Sequence, residues 1–269
     1  MLRNLTLGQY VPGDSFLHRL DPRVKLVITM LAMIALFAVQ RLDILAVTGV
    51  CVLVAGVCSK LSAGFLLRGL RLIWILAFFT FIFNAFLIPG KPMFSVFGFA
   101  MTYEGVYRGG AMALRFFLMV LITSVLSLTT SPILMTDAME KLLNPFRFLG
   151  MPSHELAMIC TIALRFVPTL AQETDIIVKA QLARGASLDR GNILTRAKAL
   201  VPILVPLFVS AFRHAEDLAM AMEARCYRGG EGRTRLRELH FRFSDFLALL
   251  LAILYMAGMA YIDWRLRHG

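Results

Sequence analysis

The sequence predicts an all-α integral membrane protein with about five transmembrane helices and additional long helices on the cytoplasmic side. Of its 269 residues, 58% are hydrophobic and 17% are charged, and the mean hydropathy is +0.72, far above the balance of a water-soluble domain. The net charge of +11 would suggest nucleic-acid binding in a soluble protein, but in a hydrophobic chain it is typical of cytoplasmic loops. Composition therefore disfavours both a soluble enzyme and a nucleic-acid-binding protein.

Five apolar runs come close to the roughly 20 residues that a membrane-spanning helix needs. Asp21 and Pro22 predict the start of the first helix, because Asp21 supplies a capping side chain and proline is tolerated at the first helical position. The residues Gln40–Asp43 predict a tight turn between the first two helices. The predicted spans are Leu26–Val39, Ile44–Val57, Leu72–Ile88, Ala111–Leu128 and Phe246–Ile262.

The distribution of basic residues predicts the orientation of these spans, because short cytoplasmic loops are enriched in Lys and Arg. The loop Pro89–Gly110 carries Lys91 and Arg108 as its basic residues and is expected outside. The N-terminal segment and the loop after the second run are expected in the cytoplasm, since they contain Arg3, Arg19, Arg23, Lys25, Lys60, Arg68 and Arg71. The pattern predicts five spans, with the N-terminus in the cytoplasm and the C-terminus outside.

Two further apolar stretches, Leu156–Leu170 and Ala199–Phe212, are ambiguous. If both crossed the bilayer, the segment between them would lie outside while carrying Lys179, Arg184, Arg190, Arg196 and Lys198, against the positive-inside rule. We therefore expect Ser131–Arg242 to lie wholly on the cytoplasmic side. The predicted division is a transmembrane part of residues 1–128, a cytoplasmic helical region of residues 129–242 and a C-terminal transmembrane helix of residues 243–269.

The cytoplasmic region is predicted to contain two long helices, Ser153–Arg184 and Asn192–Arg225, each roughly 48 Å in length at 1.5 Å per residue. Each begins apolar and ends charged, and each ends in a similar tripeptide, Ala183-Arg184-Gly185 and Ala224-Arg225-Cys226. One interpretation is local, since arginine favourably meets the negative end of a helix dipole and glycine supplies a left-handed cap. The other is that two repeated arginine ends dock into a two-fold partner, whose carboxylates could bind each guanidinium.

Motifs for catalysis, cofactors and metals are not found in the sequence. It has no phosphate-binding loop of the G-x-x-x-x-G-K-[ST] type, so ATP hydrolysis by this chain alone is not expected. His214 stands near Glu216 and Asp217 but lacks the second histidine of a zinc helix. We therefore predict no catalytic, cofactor-binding or metal residues in this chain.

Polar residues within the spans are equally sparse. The five runs contain no acidic residue, which argues against an ion-coupled carrier. Arg115 is expected to extend to the lipid headgroups rather than to bind substrate. The four cysteines lack paired spacing and are expected to be free thiols that pack as small apolar groups: Cys51, Cys58, Cys160 and Cys226.

The chain resembles a known family, the transmembrane T component (EcfT) of energy-coupling factor transporters. The resemblance covers most of the chain and rests on the two Ala-Arg motifs, on the segment Tyr227–Arg235 that follows the second, and on two N-terminal blocks. These blocks are Gly8–Ser15 (GQYVPGDS) and His18–Arg23 (HRLDPR) with Lys25. Cys226 departs from the family's usual glycine. Because a side chain disfavours positive φ, it puts the cap geometry at that end in question.

The resemblance implies a scaffold of an ATP-driven importer of vitamins or other micronutrients in a bacterial or archaeal plasma (inner) membrane. The two long helices would be coupling helices, with Arg184 and Arg225 as anchors in two ABC-type ATPase subunits, identical or different. ATP and Mg²⁺ would be bound by those partners, and a small substrate-binding membrane subunit would contact the membrane part. The alternative from another class is an autonomous membrane channel or secondary carrier.

Overall fold

A computed structural model describes residues 10–59, 63–96, 99–145, 152–186, 192–229 and 241–268. The all-α class is confirmed, because helices dominate these residues and a single two-stranded antiparallel hairpin interrupts them. In chain order the elements are α1 (Phe16–Arg19), α2 (Pro22–Ala38), α3 (Leu42–Cys58), α4 (Ala63–Leu87), β1 (Pro92–Val96), β2 (Phe99–Thr102), α5 (Tyr103–Thr129), α6 (Pro132–Leu143), α7 (Ser153–Ala183), α8 (Ile193–Ala224) and α9 (Phe243–His268).

Each predicted span coincides with one helix, in the order α2, α3, α4, α5 and α9. Among the described residues, four helices are long and apolar enough to cross a membrane: Tyr103–Thr129, His154–Ala183, Lys198–Ala224 and Phe243–Leu266. Two of these stretches lie in α7 and α8, so length and apolar composition alone do not separate them from the spans. Their cytoplasmic placement rests on the charges around them and stays a prediction, as does the count of five.

The chain divides into two compact units. The first, which we call the membrane unit, consists of Gly8–Ala138 with Arg237–Gly269 and contains all five predicted spans. The second, the long-helix unit, consists of Met1–Leu7 with Met139–Leu236 and contains α7 and α8. The predicted boundaries at residues 128 and 242 remain a prediction.

A small apolar core holds the membrane unit together. It is formed where α2, α3, α5 and α9 meet, and its members are at most 7% exposed. Many other large apolar side chains, above all those of α3 and α9, are exposed on the chain, as expected for surfaces that contact lipid. The core residues are Leu36, Val39, Leu45, Ala111, Leu118 and Met259.

Helices α4 and α5 approach closely because two glycines of α5 face the backbone of α4. A Cβ atom on Gly105 would lie 2.6 Å from the carbonyl oxygen of Asn84, and one on Gly109 would lie 3.0 Å from that of Phe81. Glycines four residues apart share one helix face and allow such contact.

The predicted loop Pro89–Gly110 is too long at its C-terminal end. Helix α5 already begins at Tyr103, where the Thr102 side chain caps it by accepting from the amide of Gly105.

Two buried aspartates join the ends of α9 to other helices. Asp245 Oδ1 accepts from the backbone amide of Asp21 at 2.9 Å, immediately before α2. Asp263 Oδ1 accepts from the amide of Arg41 at 3.2 Å, at the start of α3. The two carboxylates stabilise helix N-termini, where amides lack partners within their own helix. Neither contact was predicted, because both acids lie just outside the apolar run Phe246–Ile262.

Lys25, near the start of α2, is buried. Its Nζ donates to the carbonyl oxygens of Thr129 at 3.0 Å and His18 at 3.4 Å, and Val11 donates its amide to the carbonyl of Leu128 at 3.0 Å. Since Thr129 ends α5, these bonds satisfy carbonyls that have no partner within that helix. Val11 and Lys25 therefore hold the N-terminal segment against the C-terminal end of α5.

The structure corrects the expectation for Arg115. Its Nη2 donates to the carbonyl oxygen of Val39 at 2.6 Å, and the carboxylate of Asp263 lies close enough to attract the guanidinium. Val39 is the residue after α2, so the side chain satisfies a terminal carbonyl of that helix. A direct hydrogen bond inside the membrane unit replaces the predicted extension to headgroups.

The four cysteines are free thiols, as predicted, but all four are exposed on the chain. Their expected role as small apolar groups in packed positions is therefore wrong. Cys51 and Cys58 lie on α3, whose neighbouring apolar residues Val50, Val54 and Val57 are more than half exposed. This surface of α3 is available to lipid.

Candidate docking site at the ends of two long helices

Helices α7 and α8 are the longest in the described chain, with 31 and 32 residues. Their bounds agree with the predicted long helices to within about one residue at each end. At 1.5 Å per residue each extends over roughly 47 Å, and both continue through internal prolines, Pro168 in α7 and Pro202 and Pro206 in α8.

The two helices pack against each other in antiparallel orientation. Near the start of α7, Met158 Sδ accepts from the hydroxyl of Tyr227, the second residue after Arg225. Near the end of α7, the Gln181 side chain donates to the carbonyl oxygen of Pro202, early in α8. Partners late in one helix thus lie early in the other, so Arg184 and Arg225 stand at opposite ends of the pair.

The first arginine end is closed by a Schellman cap. Arg184 follows the last helical residue, and Gly185 has a φ of +87°. The amide of Ala186 donates to the carbonyl of Gln181, and that of Gly185 donates to the carbonyl of Leu182, both at 3.0 Å. This pair of bonds defines the cap and satisfies terminal carbonyls.

The second arginine end has the same cap with a different residue. Cys226 has a φ of +54°, and its amide donates to the carbonyl of Glu223 at 2.8 Å, while the amide of Tyr227 donates to the carbonyl of Met222 at 3.0 Å. Cys226 therefore adopts the left-handed conformation that the family's usual glycine would take. The Cβ atom makes this conformation unfavourable by about 1–2 kcal/mol.

Both arginines are exposed, together with the small residues beside them, Ala183, Gly185, Ala224 and Cys226. Within the described ranges neither guanidinium has a hydrogen bond or an ion pair. A Cβ on Gly185 would meet no atom within 4 Å, so the space around that end is open. The structure thus presents two similar arginine ends rather than bringing the predicted residues together in one cleft.

The middle of the helix pair contains a polar cluster that was not predicted from the sequence. Glu173 accepts hydrogen bonds from Ser210 Oγ at 2.7 Å and from His214 Nε2 at 2.6 Å. The ring of His214 also stacks on Phe166, with centroids 5.8 Å apart. In the sequence His214 stands beside Glu216 and Asp217, whereas its hydrogen-bond partner in the structure, Glu173, lies 41 residues away. Local spacing carried no signal for this contact.

No group of three or more histidine, cysteine or acidic residues within the described ranges could hold a metal ion. The arginine ends offer two exposed cationic planar groups. Such groups can bind carboxylates or carbonyl oxygens of a partner.

Comparison with known proteins relates the chain to one family. The family model described as "Cobalt transport protein" (CbiQ) matches residues 13–236. Proteins named energy-coupling factor transporter transmembrane protein EcfT are similar over nearly their whole length. That of Thermosediminibacter oceani is 49% identical over 96% of this chain and 97% of its own.

The corresponding protein of Clostridium kluyveri is 51% identical over 94% of both chains. That of Bacillus subtilis is 43% identical over 97% of this chain and 98% of its own. A match of this extent leaves no large part of the chain outside the similarity. The chain therefore belongs to the EcfT family, the transmembrane components of energy-coupling factor transporters, as its motifs predicted.

Proposed function

We propose that this chain is the non-catalytic coupling subunit of an ATP-driven importer for vitamins or other micronutrients. It links two ABC-type ATPase subunits, identical or different, to a small substrate-binding membrane subunit. ATP and Mg²⁺ are bound by the ATPases, and no cofactor or metal is bound by this chain. The complex resides in a bacterial or archaeal plasma (inner) membrane, with the N-terminus of this chain in the cytoplasm.

The repetition of the arginine end is the observation that carries the proposal. Arg184 and Arg225 are both exposed residues following the last turn of a helix, and both are followed by a left-handed residue in a Schellman cap. A helix-dipole contact would explain each end separately but not the repetition of the same motif. Two ends with the same chemistry suit a partner that presents the same groove twice, as a two-fold ATPase pair would.

The spacing of the two ends supports the same partner. Glu173 and His214 are in contact, and each lies eleven residues before its arginine. At 1.5 Å per residue, each arginine stands about 16 Å beyond that contact, in opposite directions along the pair. The two guanidinium groups thus reach separate sites roughly 33 Å apart along the helices, too far for one groove but suited to two subunits.

The proposed substrate class, vitamins or other micronutrients, rests on the family resemblance. The matched family model is described as a cobalt transport protein, whereas the names of the relatives specify no substrate. We assign substrate recognition to the separate membrane subunit, because the described residues of this chain offer no metal cluster and its five apolar runs contain no acidic residue. One such scaffold can then serve substrates of different chemistry.

Charge reversal of the two arginines tests this proposal. The tagged chain is expressed at low level in its native host, extracted in mild detergent and analysed by mass spectrometry for co-purifying chains. We expect two ATPase subunits and a small hydrophobic subunit with the unchanged chain, and loss of the ATPases with the double variant R184E/R225E. A single replacement should weaken association partially, since removing one partner of a desolvated charge pair costs about 2–5 kcal/mol.

Arg213→Glu is the matched control, because Arg213 is an exposed arginine of α8 away from its end. It makes the same charge change and should leave the ATPases bound. Unchanged association of R184E/R225E, with the same amount of chain in the membrane, would contradict the assignment of the anchors. If the chain purified alone and transported substrate in liposomes, the alternative of an autonomous channel or secondary carrier would replace the proposal.

A further inference from the structure

A polar contact joins α7 and α8 between the two arginine ends. We call it the latch, and define it as Glu173 on α7 with Ser210 and His214 on α8. Glu173 is partly buried, with 24% of its side chain exposed, and His214 has 34% exposed. Both Glu173 oxygens are used, Oε2 by Ser210 and Oε1 by His214.

The latch is placed symmetrically with respect to the two arginine ends. Glu173 precedes Arg184 by eleven residues, and His214 precedes Arg225 by eleven residues. Eleven residues make close to three helical turns, so each latch residue lies on nearly the same side of its helix as its arginine. The contact between Glu173 and His214 therefore lies midway along the pair between the two anchors.

Outside the latch, the described residues of the helix pair are joined by two other hydrogen bonds, from Tyr227 to Met158 and from Gln181 to the carbonyl of Pro202. Much of the remaining surface is apolar. Apolar helix surfaces can repack after a shift of three or four residues, because ridges and grooves recur at that spacing. The Glu173 carboxylate cannot shift in this way without losing its hydrogen-bond donors, which is costly in a partly buried position. Stacking of His214 on Phe166 further restricts the orientation of the ring.

From this geometry we infer that Glu173 and His214 are positioning residues that hold α7 and α8 in register, so that Arg184 and Arg225 keep their separation and move together. The inference rests on the proposed function in which both arginines are anchors for ATPase subunits. Without the latch, each arginine should still bind its ATPase subunit. A displacement of one ATPase subunit should then move the other helix less than it does when the latch is intact.

The register can be measured directly with two spin labels. Lys179 and Met220 are exposed, and each lies five residues before its arginine, so labels there report the separation of the two ends. They are introduced in the full-length chain as cysteines, in nanodiscs, after the native cysteines are removed by Cys226→Gly and by alanine at Cys51, Cys58 and Cys160.

With the latch intact, we expect one narrow distance distribution. Glu173→Ala and His214→Ala should broaden or shift it, whereas Glu173→Gln should restore it, because the amide oxygen still accepts a hydrogen bond. Ser210→Ala removes one of the two bonds and should give an intermediate width, which keeps the test informative if either alanine variant folds poorly. Glu216→Ala is the matched control, since it removes an exposed carboxylate of α8 near His214.

The functional consequence is measured in liposomes that contain the complete complex. Loss of a hydrogen bond to a charged group should lower the population of helices in the correct register by about tenfold. Glu173→Ala should therefore reduce substrate taken up per ATP hydrolysed by a similar factor, while the ATPases still co-purify. A distance distribution that Glu173→Ala leaves unchanged would overturn the inference. So would a broadened distribution with unchanged uptake per ATP.

These outcomes are separable from failure of the proposed function. If no ATPase binds even the unchanged chain, the coupling proposal fails. The spin-label distances on the chain alone would still decide whether the latch holds the register of the two helices.

Discussion

Cys226 occupies the same left-handed position after α8 that Gly185 occupies after α7, with φ values of +54° and +87°. The two Schellman caps make equivalent hydrogen bonds although glycine has no Cβ and cysteine does. The arginine ends are thus alike in geometry even though their sequences differ. The difference between them lies in conformational energy.

Replacing Cys226 by glycine should stabilise the cap after α8. Glycine reaches positive φ without the clash of Cβ with the backbone, so we expect a gain of about 1 kcal/mol and unchanged ATPase association. Gly185→Ala should lose a similar amount at the other end. Thermal unfolding in detergent measures both, and equal melting temperatures for all three chains would contradict the interpretation of the caps.

Asp245 should be important for the stability of the membrane unit. Asp245→Ala leaves the amides of Asp21 and Arg242 without their acceptors, and each buried unsatisfied group costs about 1–3 kcal/mol. We expect a lower melting temperature and faster proteolysis in detergent. Asp14→Ala is the control, because Asp14 is exposed; an equal effect of both changes would show that the loss of charge, rather than the buried contact, is responsible.

The close approach of α4 and α5 predicts opposite effects at two glycines. Gly105→Ala places a Cβ 2.6 Å from the carbonyl oxygen of Asn84 and 2.8 Å from that of Ala85, so the helices must separate, at a cost of roughly 1–3 kcal/mol. Gly258→Ala on α9 meets nothing within 4 Å. It should be neutral or stabilising by up to about 1 kcal/mol, since alanine favours a helix. Melting temperatures of the two variants check the order.

The sidedness of α8 can be tested with its own cysteine. In a chain where Cys226 is the sole cysteine, the exposed thiol should react with a membrane-impermeant maleimide in inverted vesicles but not in intact cells. The reason is that the basic residues around α7 and α8 favour the cytoplasmic side. Labelling in intact cells would place this helix end outside and would contradict the predicted cytoplasmic placement of residues 129–242.

Features set by local sequence were predicted well. The ends of α7 and α8 agree within about one residue. After α7 the local signal is Gly185, which suits a left-handed cap; after α8 the same position is taken by Cys226, which does not favour it. The start of α2 at Pro22, with Asp21 as its cap, is another local signal. The sequence also contains a signal for the contact of α4 with α5, since Gly105 and Gly109 have the four-residue spacing typical of closely packed helices. That contact was not predicted.

The sequence by itself determined the membrane class, the helices and the two arginine ends, because hydropathy, helix caps and repeated tripeptides act over a few residues. Tertiary structure decided what joins these parts: Glu173 with His214, Asp245 with the start of α2, and Lys25 with the end of α5. The partners in these contacts are 41, 224 and 104 residues apart. No local pattern encodes such pairs, because they form only when packing of apolar helix faces brings buried polar groups within hydrogen-bonding distance of each other.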